Sequence, residues 1–198
     1  MKNKLILSHL CFVIISGAFL YFKITHTYLI WNMFLALAAL DFSFCLHYFK
    51  NAFLTFLSAL LWFLFYPNTF YMLTDIVHMN FLASVLNDRS SLILYFVFLA
   101  SVLFGLLCGV ESVQQVFKRF VIKDYYFRFF LIILLSCISS LAIHIGRYAR
   151  LNSWDIFTKP MAVISEIMKV LTPSAFPFIL GFTFIQIMVL LFLEGKSD

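Results

Sequence analysis

Apolar runs at 5–22, 28–48, 52–65, 91–116, 126–145 and 176–193 dominate the chain. Most approach the roughly 20 residues that carry a helix across a bilayer core, so the pattern predicts six spans. The third run is short and is expected to close at Tyr66-Pro67-Asn68, because proline lacks a backbone donor and steers the preceding residue away from helix. The first run follows Lys2 and Lys4 as a signal peptide would, yet it continues past Ser16-Gly17-Ala18 through Phe22, which favours an uncleaved span. Between 157 and 171 the pattern changes: Met161, Ile164, Met168 and Leu171 recur at helical spacing, while Ala162, Ser165, Glu166 and Lys169 fall on another face. This describes an amphipathic helix, lying in the membrane interface or packed on the bundle. The expected fold is therefore an all-α polytopic transmembrane helical bundle. It has about six spans plus one interfacial amphipathic helix, forming a single membrane domain over 1–198.

Composition removes the soluble alternatives. Of 198 residues, 64% are hydrophobic and 12% charged, whereas soluble domains carry about 45–50% and about 25%; there is no room for a separate soluble catalytic domain. The net charge of +5 is scattered between apolar runs without the basic stripe that a phosphate backbone needs, which excludes nucleic acid as a partner. The charges serve better as topology signals, since lysine and arginine near span ends stay in the cytoplasm. With the N-terminus inside, eight basic residues fall on the inner side and six on the outer. The Lys118-Arg119 to Lys123 cluster lies in the short loop between the fourth and fifth runs, so both termini are expected to be cytoplasmic. Cys11, Cys45, Cys108 and Cys137 sit inside apolar runs without CxxC spacing and read as small core residues.

Polar residues concentrate in two stretches, 66–78 and 144–155. By the span count both lie at outer ends, where they are expected to converge on one outward-facing pocket. Arg147 and Arg150 offer paired guanidinium donors that suit a phosphate or carboxylate, and Asn68, Thr74, Asn152, Trp154 and Asp155 complete the expected ligand-binding set. The same arginines equally suit pairing with Asp155 or Asp75, which would pin two loops. His144, Arg147 and Arg150, stepping by three, would form a slowly rotating helical stripe. Asp75 and His78 are the candidate catalytic pair, a general base with its orienting carboxylate; neither HExxH nor HxxxH occurs, no metal site is predicted, and the cofactor is left open. Asp41 in the second run and Glu111 in the fourth are further intramembrane acids, compatible with an ion path or with simple helix ties. Gly105 and Gly109 form a GxxxG pair for close helix approach, within the chain or between copies.

Trp31-Asn32 with Leu35-Ala36, then Pro67-Asn68, Tyr71, Thr74-Asp75 and His78, then Gly146-Arg147, Arg150 and Asn152-Ser153-Trp154-Asp155 together resemble the bacterial integral-membrane family catalogued as domain of unknown function 1361. The resemblance runs from the second span to the sixth. Asp41 departs from it, standing where a proline or apolar residue is expected. The resemblance implies a multi-pass protein of the bacterial plasma membrane and brings no activity with it. Three functions fit: an accessory envelope protein with a site for an anionic lipid or phosphate-bearing molecule, an enzyme acting on a lipid-linked phosphate, or a small transporter or substrate-capture subunit. The expected partners are membrane lipid and either a membrane protein or a second copy of the chain.

Overall fold

The computed structural model describes residues 2–78, 88–151, 155–170 and 175–193. All described elements are helical: α1 (Lys2–Tyr21), α2 (Tyr28–Tyr48), α3 (Ala52–Phe65), α4 (Pro67–Tyr71), a 3-10 turn (Met72–His78), α5 (Arg89–Arg119), α6 (Tyr125–Tyr148), α7 (Asp155–Thr158), α8 (Pro160–Val170) and α9 (Phe176–Phe192). Five segments are long and apolar enough to cross a membrane, namely Asn3–Tyr21, Tyr28–Tyr48, Ala52–Val77, Arg89–Arg119 and Tyr125–Tyr148. The 17-residue α9 is about 25 Å long at 1.5 Å per residue and is equally apolar. The expected all-α transmembrane bundle is what the chain forms.

One boundary differs from the sequence expectation. The third span does not end at Tyr66-Pro67: Tyr66 keeps helical backbone angles (φ −52°, ψ −42°) and α4 follows with Pro67 in its first turn. Proline is tolerated there because that N–H has no intrahelical partner to lose. Packing overrides the preference of the residue before proline, since Tyr66 is fully buried between the rings of Trp62 and Phe70, 5.7 and 5.9 Å away.

The chain divides into two compact units, Met1–Ser112 and Val113–Asp198, with the division inside α5. In the first unit, α2 is the central helix. Its Leu29, Met33, Ala36, Leu37, Leu40 and Phe44 are buried in one cluster with Phe19 of α1, Met72, and Phe98 and Val102 of α5. The α2–α3 connection is set by Asn51, whose side chain accepts from the Phe53 and Leu54 amides at 2.8 and 3.4 Å, an N-cap satisfying donors that a new helix leaves open. α4 then lies directly on α5. A Cβ placed on Gly105 would come within 2.9 Å of the Thr69 carbonyl oxygen, and one on Gly109 within 2.6 Å of Thr69 Oγ1. The GxxxG pair therefore serves packing inside the chain. One turn further, Trp62 Nε1 donates to Ser112 Oγ at 3.1 Å, and Ser112 in turn donates to the Gly109 carbonyl at 2.8 Å.

In the second unit α6 packs along α9, and α8 packs on α6. Asp124 caps α6 by accepting from the Phe127 amide at 2.7 Å, and Arg128 places its guanidinium 5.2 Å from the Phe117 ring centroid. The amphipathic segment is two helices, with Lys159 between α7 and α8. Met161, Ile164 and Met168 of α8 are exposed, as are Ala162, Ser165 and Lys169, while Leu171 lies outside the described residues. On the opposite face Lys169 pairs with Glu166 at 2.6 Å.

Ahead of α5, Asp88 accepts from the Ser91 amide and hydroxyl at 2.8 and 2.9 Å, and these donors hold its carboxyl below the usual carboxylate range. Three helix ends share an unusual feature. Lys23, Val121 and Arg150 adopt left-handed backbone angles (φ 53°, 54° and 55°) just past α1, α5 and α6, the position that ordinarily selects glycine. At the first two, paired amide bonds close the helix: Lys23 to Leu20 and Ile24 to Phe19, then Val121 to Lys118 and Ile122 to Phe117.

Three outcomes follow for stability in nanodiscs. Gly109→Ala, and to a lesser degree Gly105→Ala, should destabilise the protein by about 1–3 kcal/mol through overpacking. Gly17→Ala and Gly181→Ala, where a Cβ meets nothing within 4 Å, should be neutral or stabilising because alanine is the better helix former. Val121→Gly should stabilise by about 1 kcal/mol, since a β-branched residue in the left-handed region is strained. Thermal unfolding read by tryptophan emission compares all five variants with the parent.

Candidate functional site

The stretch at 66–78 uses most of its polar groups to build itself. Asn68 Nδ2 donates to the Phe65 carbonyl at 3.0 Å, Thr69 Oγ1 to the Tyr66 carbonyl at 2.7 Å, and Thr74 Oγ1 to the Tyr71 carbonyl at 2.7 Å. Helical hydroxyls commonly close on their own chain in this way. Asp75 is different. It is 2% exposed, and Asn32 of α2 donates to its Oδ2 from Nδ2 at 3.2 Å. A carboxylate this deep is tolerable only when partnered, so Asn32 and Asp75 tie the 3-10 turn to the central helix. The 3-10 geometry puts positions 75 and 78 one above the other; the side chain of the expected catalytic partner His78 lies outside the described residues.

At 144–155 the expected helical stripe does not extend to its last member. α6 ends at Tyr148, Ala149 caps it, and Arg150 leaves the helix in the left-handed conformation. His144 is turned into an aromatic cluster, its ring 4.4 Å from Tyr148 and 5.3 Å from Phe178, with Tyr148 and Phe178 5.8 Å apart. Arg147 is half-buried in the last turn of α6 and Arg150 is exposed beyond it, both where cations complement the negative end of the helix dipole. Ala149 and Leu151 pack with Leu141 and Ile179 around buried Ile145 and Ala175, which fixes the backbone that carries the two arginines. Asn152 and Trp154 of the expected ligand set lie outside the described residues. Asp155 opens α7, is 6% exposed, and accepts from Thr158 Oγ1 at 3.0 Å.

Asn68, Thr74 and Asp75 thus belong to the first unit, and Arg147, Arg150 and Asp155 to the second. The expected convergence joins residues of different units and is no part of either unit's own geometry. Each intramembrane acid has a neighbour: Glu111 pairs with Lys4 at 2.6 Å, Asp41 faces His9 through Oδ2 at 3.4 Å while its Oδ1 meets no partner among the described residues, and Asp75 is held by Asn32. Among the described residues no group of three or more histidine, cysteine, aspartate or glutamate side chains could hold a metal ion.

Roles that the sequence pattern did not assign complete the picture. Asn32 and His9 are the partners of Asp75 and Asp41, and their roles depend on which helices become neighbours. Ser136, Ser139, Ser140, Thr183 and Gln186 are all buried between otherwise apolar positions of α6 and α9; their three- and four-residue spacing was a legible sign of one polar face.

Helices of this length and hydropathy define a multi-pass integral membrane protein. The chain matches the family described as "Protein of unknown function (DUF1361)" over residues 31–189, and it belongs to that family. No curated protein and no solved structure matches it.

Replacing Asn32 by leucine should destabilise the protein by about 1–3 kcal/mol, because a buried carboxylate loses a donor. Asp75→Asn, which keeps an acceptor oxygen for Asn32, should cost less than Asn32→Leu. Comparing unfolding midpoints of the two variants checks the order.

Proposed function

We propose that the protein is an envelope-associated membrane protein of bacteria that holds an anionic, phosphate-bearing lipid headgroup against the segment from the end of α6 to α8. One observation carries this reading. Along that segment the exposed charge is positive and borders an apolar face: Arg150 and Lys159 are exposed, Asp155 is buried, Glu166 is paired with Lys169, and Met161, Ile164 and Met168 of α8 point outward. An amphipathic helix of this kind inserts its apolar side at the headgroup boundary, where each basic residue contributes roughly 1 kcal/mol of attraction to anionic lipid. Arg147 adds planar, paired donors matched to phosphate oxygens. Asn152 and Trp154 extend the ligand-binding set by their place in the chain, Trp154 with the amphipathic ring that favours headgroup depth.

Binding fits this segment better than catalysis. The hydroxyl of Thr74 is engaged within its own helical turn, and Asp75 accepts from Asn32, so the first stretch reads as a structural tie. With both termini cytoplasmic, the α6–α8 segment faces the outer leaflet, and reporter fusions at both ends of the chain test that sidedness.

Native mass spectrometry of protein released from nanodiscs containing a defined mixture of anionic and zwitterionic phospholipid measures retention. The Arg150→Gln/Lys159→Gln double variant should weaken anionic-lipid retention roughly ten- to thirty-fold, as two lost contacts of about 1 kcal/mol each imply. Arg147→Lys should weaken it as well despite the conserved charge, because the planar fork is lost. Retention equal to the parent in both variants would sink the reading.

A further inference from the structure

α6 and α9 press a set of polar side chains into the interior of the second unit. Ser136 is 0% exposed, Ser139 1%, Ser140 0%, Thr183 7% and Gln186 0%. On α6 the serines share a face with buried Ile132, Leu135 and Ile143, while Thr183 and Gln186 share one with Leu190 on α9. Cys137, between the serines in sequence, is exposed, so the polar positions occupy the packed side of α6.

The Gln186 amide is aimed into this face. Its Nε2 donates to Ser140 Oγ at 2.8 Å and to the Ser136 carbonyl at 3.4 Å. That places its carbonyl oxygen beside the serines, yet Gln186 Oε1, Ser136 Oγ, Ser139 Oγ and Thr183 Oγ1 all meet no hydrogen-bond partner among the described residues. In the first unit Ser16 Oγ also meets no partner among the described residues, but Ser8, Ser43, Ser101 and Ser112 each donate to a carbonyl of their own helix, at 2.8, 2.6, 2.7 and 2.8 Å. Three hydroxyls and one amide oxygen left open on two helices that pack on each other call for a ligand that supplies both donors and acceptors, since buried polar groups are otherwise satisfied.

We propose that this seam between α6 and α9 is a hydration site that binds water inside the membrane-spanning part of the protein. Water fits the chemistry of the set. Gln186 Oε1 accepts only, each hydroxyl can donate or accept, and a buried water takes two to four such partners. A divalent cation fits poorly, because the set contains no carboxylate to offset its charge in a low-dielectric surrounding. An apolar ligand would leave all four groups unmet. The site is separate from the headgroup segment and does not depend on that reading.

Water-edited solid-state NMR on the full chain in nanodiscs tests it. Magnetisation transfer from water to the Gln186 side-chain amide should build up several-fold faster than to the lipid-facing Leu180 and Phe184. In Ser139→Ala/Thr183→Val, transfer to Gln186 should fall several-fold while cross-peaks between α6 and α9 persist. Equal build-up at Gln186 and Leu180 in the parent protein overturns the proposal whether or not the double variant folds. So does an unchanged rate in a folded double variant, or a Gln186 signal that depends on sodium concentration.

Discussion

Thr69 seated between Gly105 and Gly109 is the contact on which the first unit depends. Within hydrocarbon, apolar side chains gain little by leaving lipid for another helix, so helices stay together through close packing and polar ties. Two glycines one turn apart on α5 let the α4 backbone come nearer than any side chain would permit. That approach buries Tyr66, Phe70 and Met72 completely and carries the chain past Pro67 without a break. It also delivers the 3-10 turn to α2, where Asn32 can reach Asp75. Take away the close approach and the buried carboxylate loses its setting.

Polar residues in this chain divide by environment. In the first unit four pairs tie helices or turns to one another: Lys4 with Glu111, His9 with Asp41, Trp62 with Ser112, and Asn32 with Asp75. The first two pairs join α1 to the helices that follow it. α1 lies outside the region that matches the family, whereas Asp41 and Glu111 lie within it. An outlying helix with most of its surface uncovered is thus held by one apolar face and two ionisable ties. The remaining cations, such as Arg150 and Lys159, stand at helix ends, where water and headgroups can solvate them.

Much of the fold was legible because the bilayer imposes a length. Apolar runs of span size translate directly into helices, and the segment that carries Met161, Ile164 and Met168 is helical as α8. The misreadings arose where local rules met packing. Proline ordinarily closes a helix, yet at Pro67 the burial of Tyr66 and Phe70 outweighed that preference. Three-residue steps from His144 to Arg150 promised one face, but the helix ended at Tyr148, and no glycine marked the turn because Arg150 itself took the left-handed position.

From its order of residues alone the chain prescribes a membrane-spanning helical protein, the approximate limits of its spans, and the charged residues that stand out from the apolar pattern: Asp75, Arg147, Arg150 and Asp155. Hydropathy and helical periodicity are local properties, so a linear pattern carries them in full. Which polar group meets which is a pairwise property of distant segments. Only the tertiary structure could turn Asn32 toward Asp75, set His9 beside Asp41, assign the glycine pair to Thr69, and press the open hydroxyls of α6 against Gln186, because each depends on helix rotations and depths that no single stretch of sequence encodes.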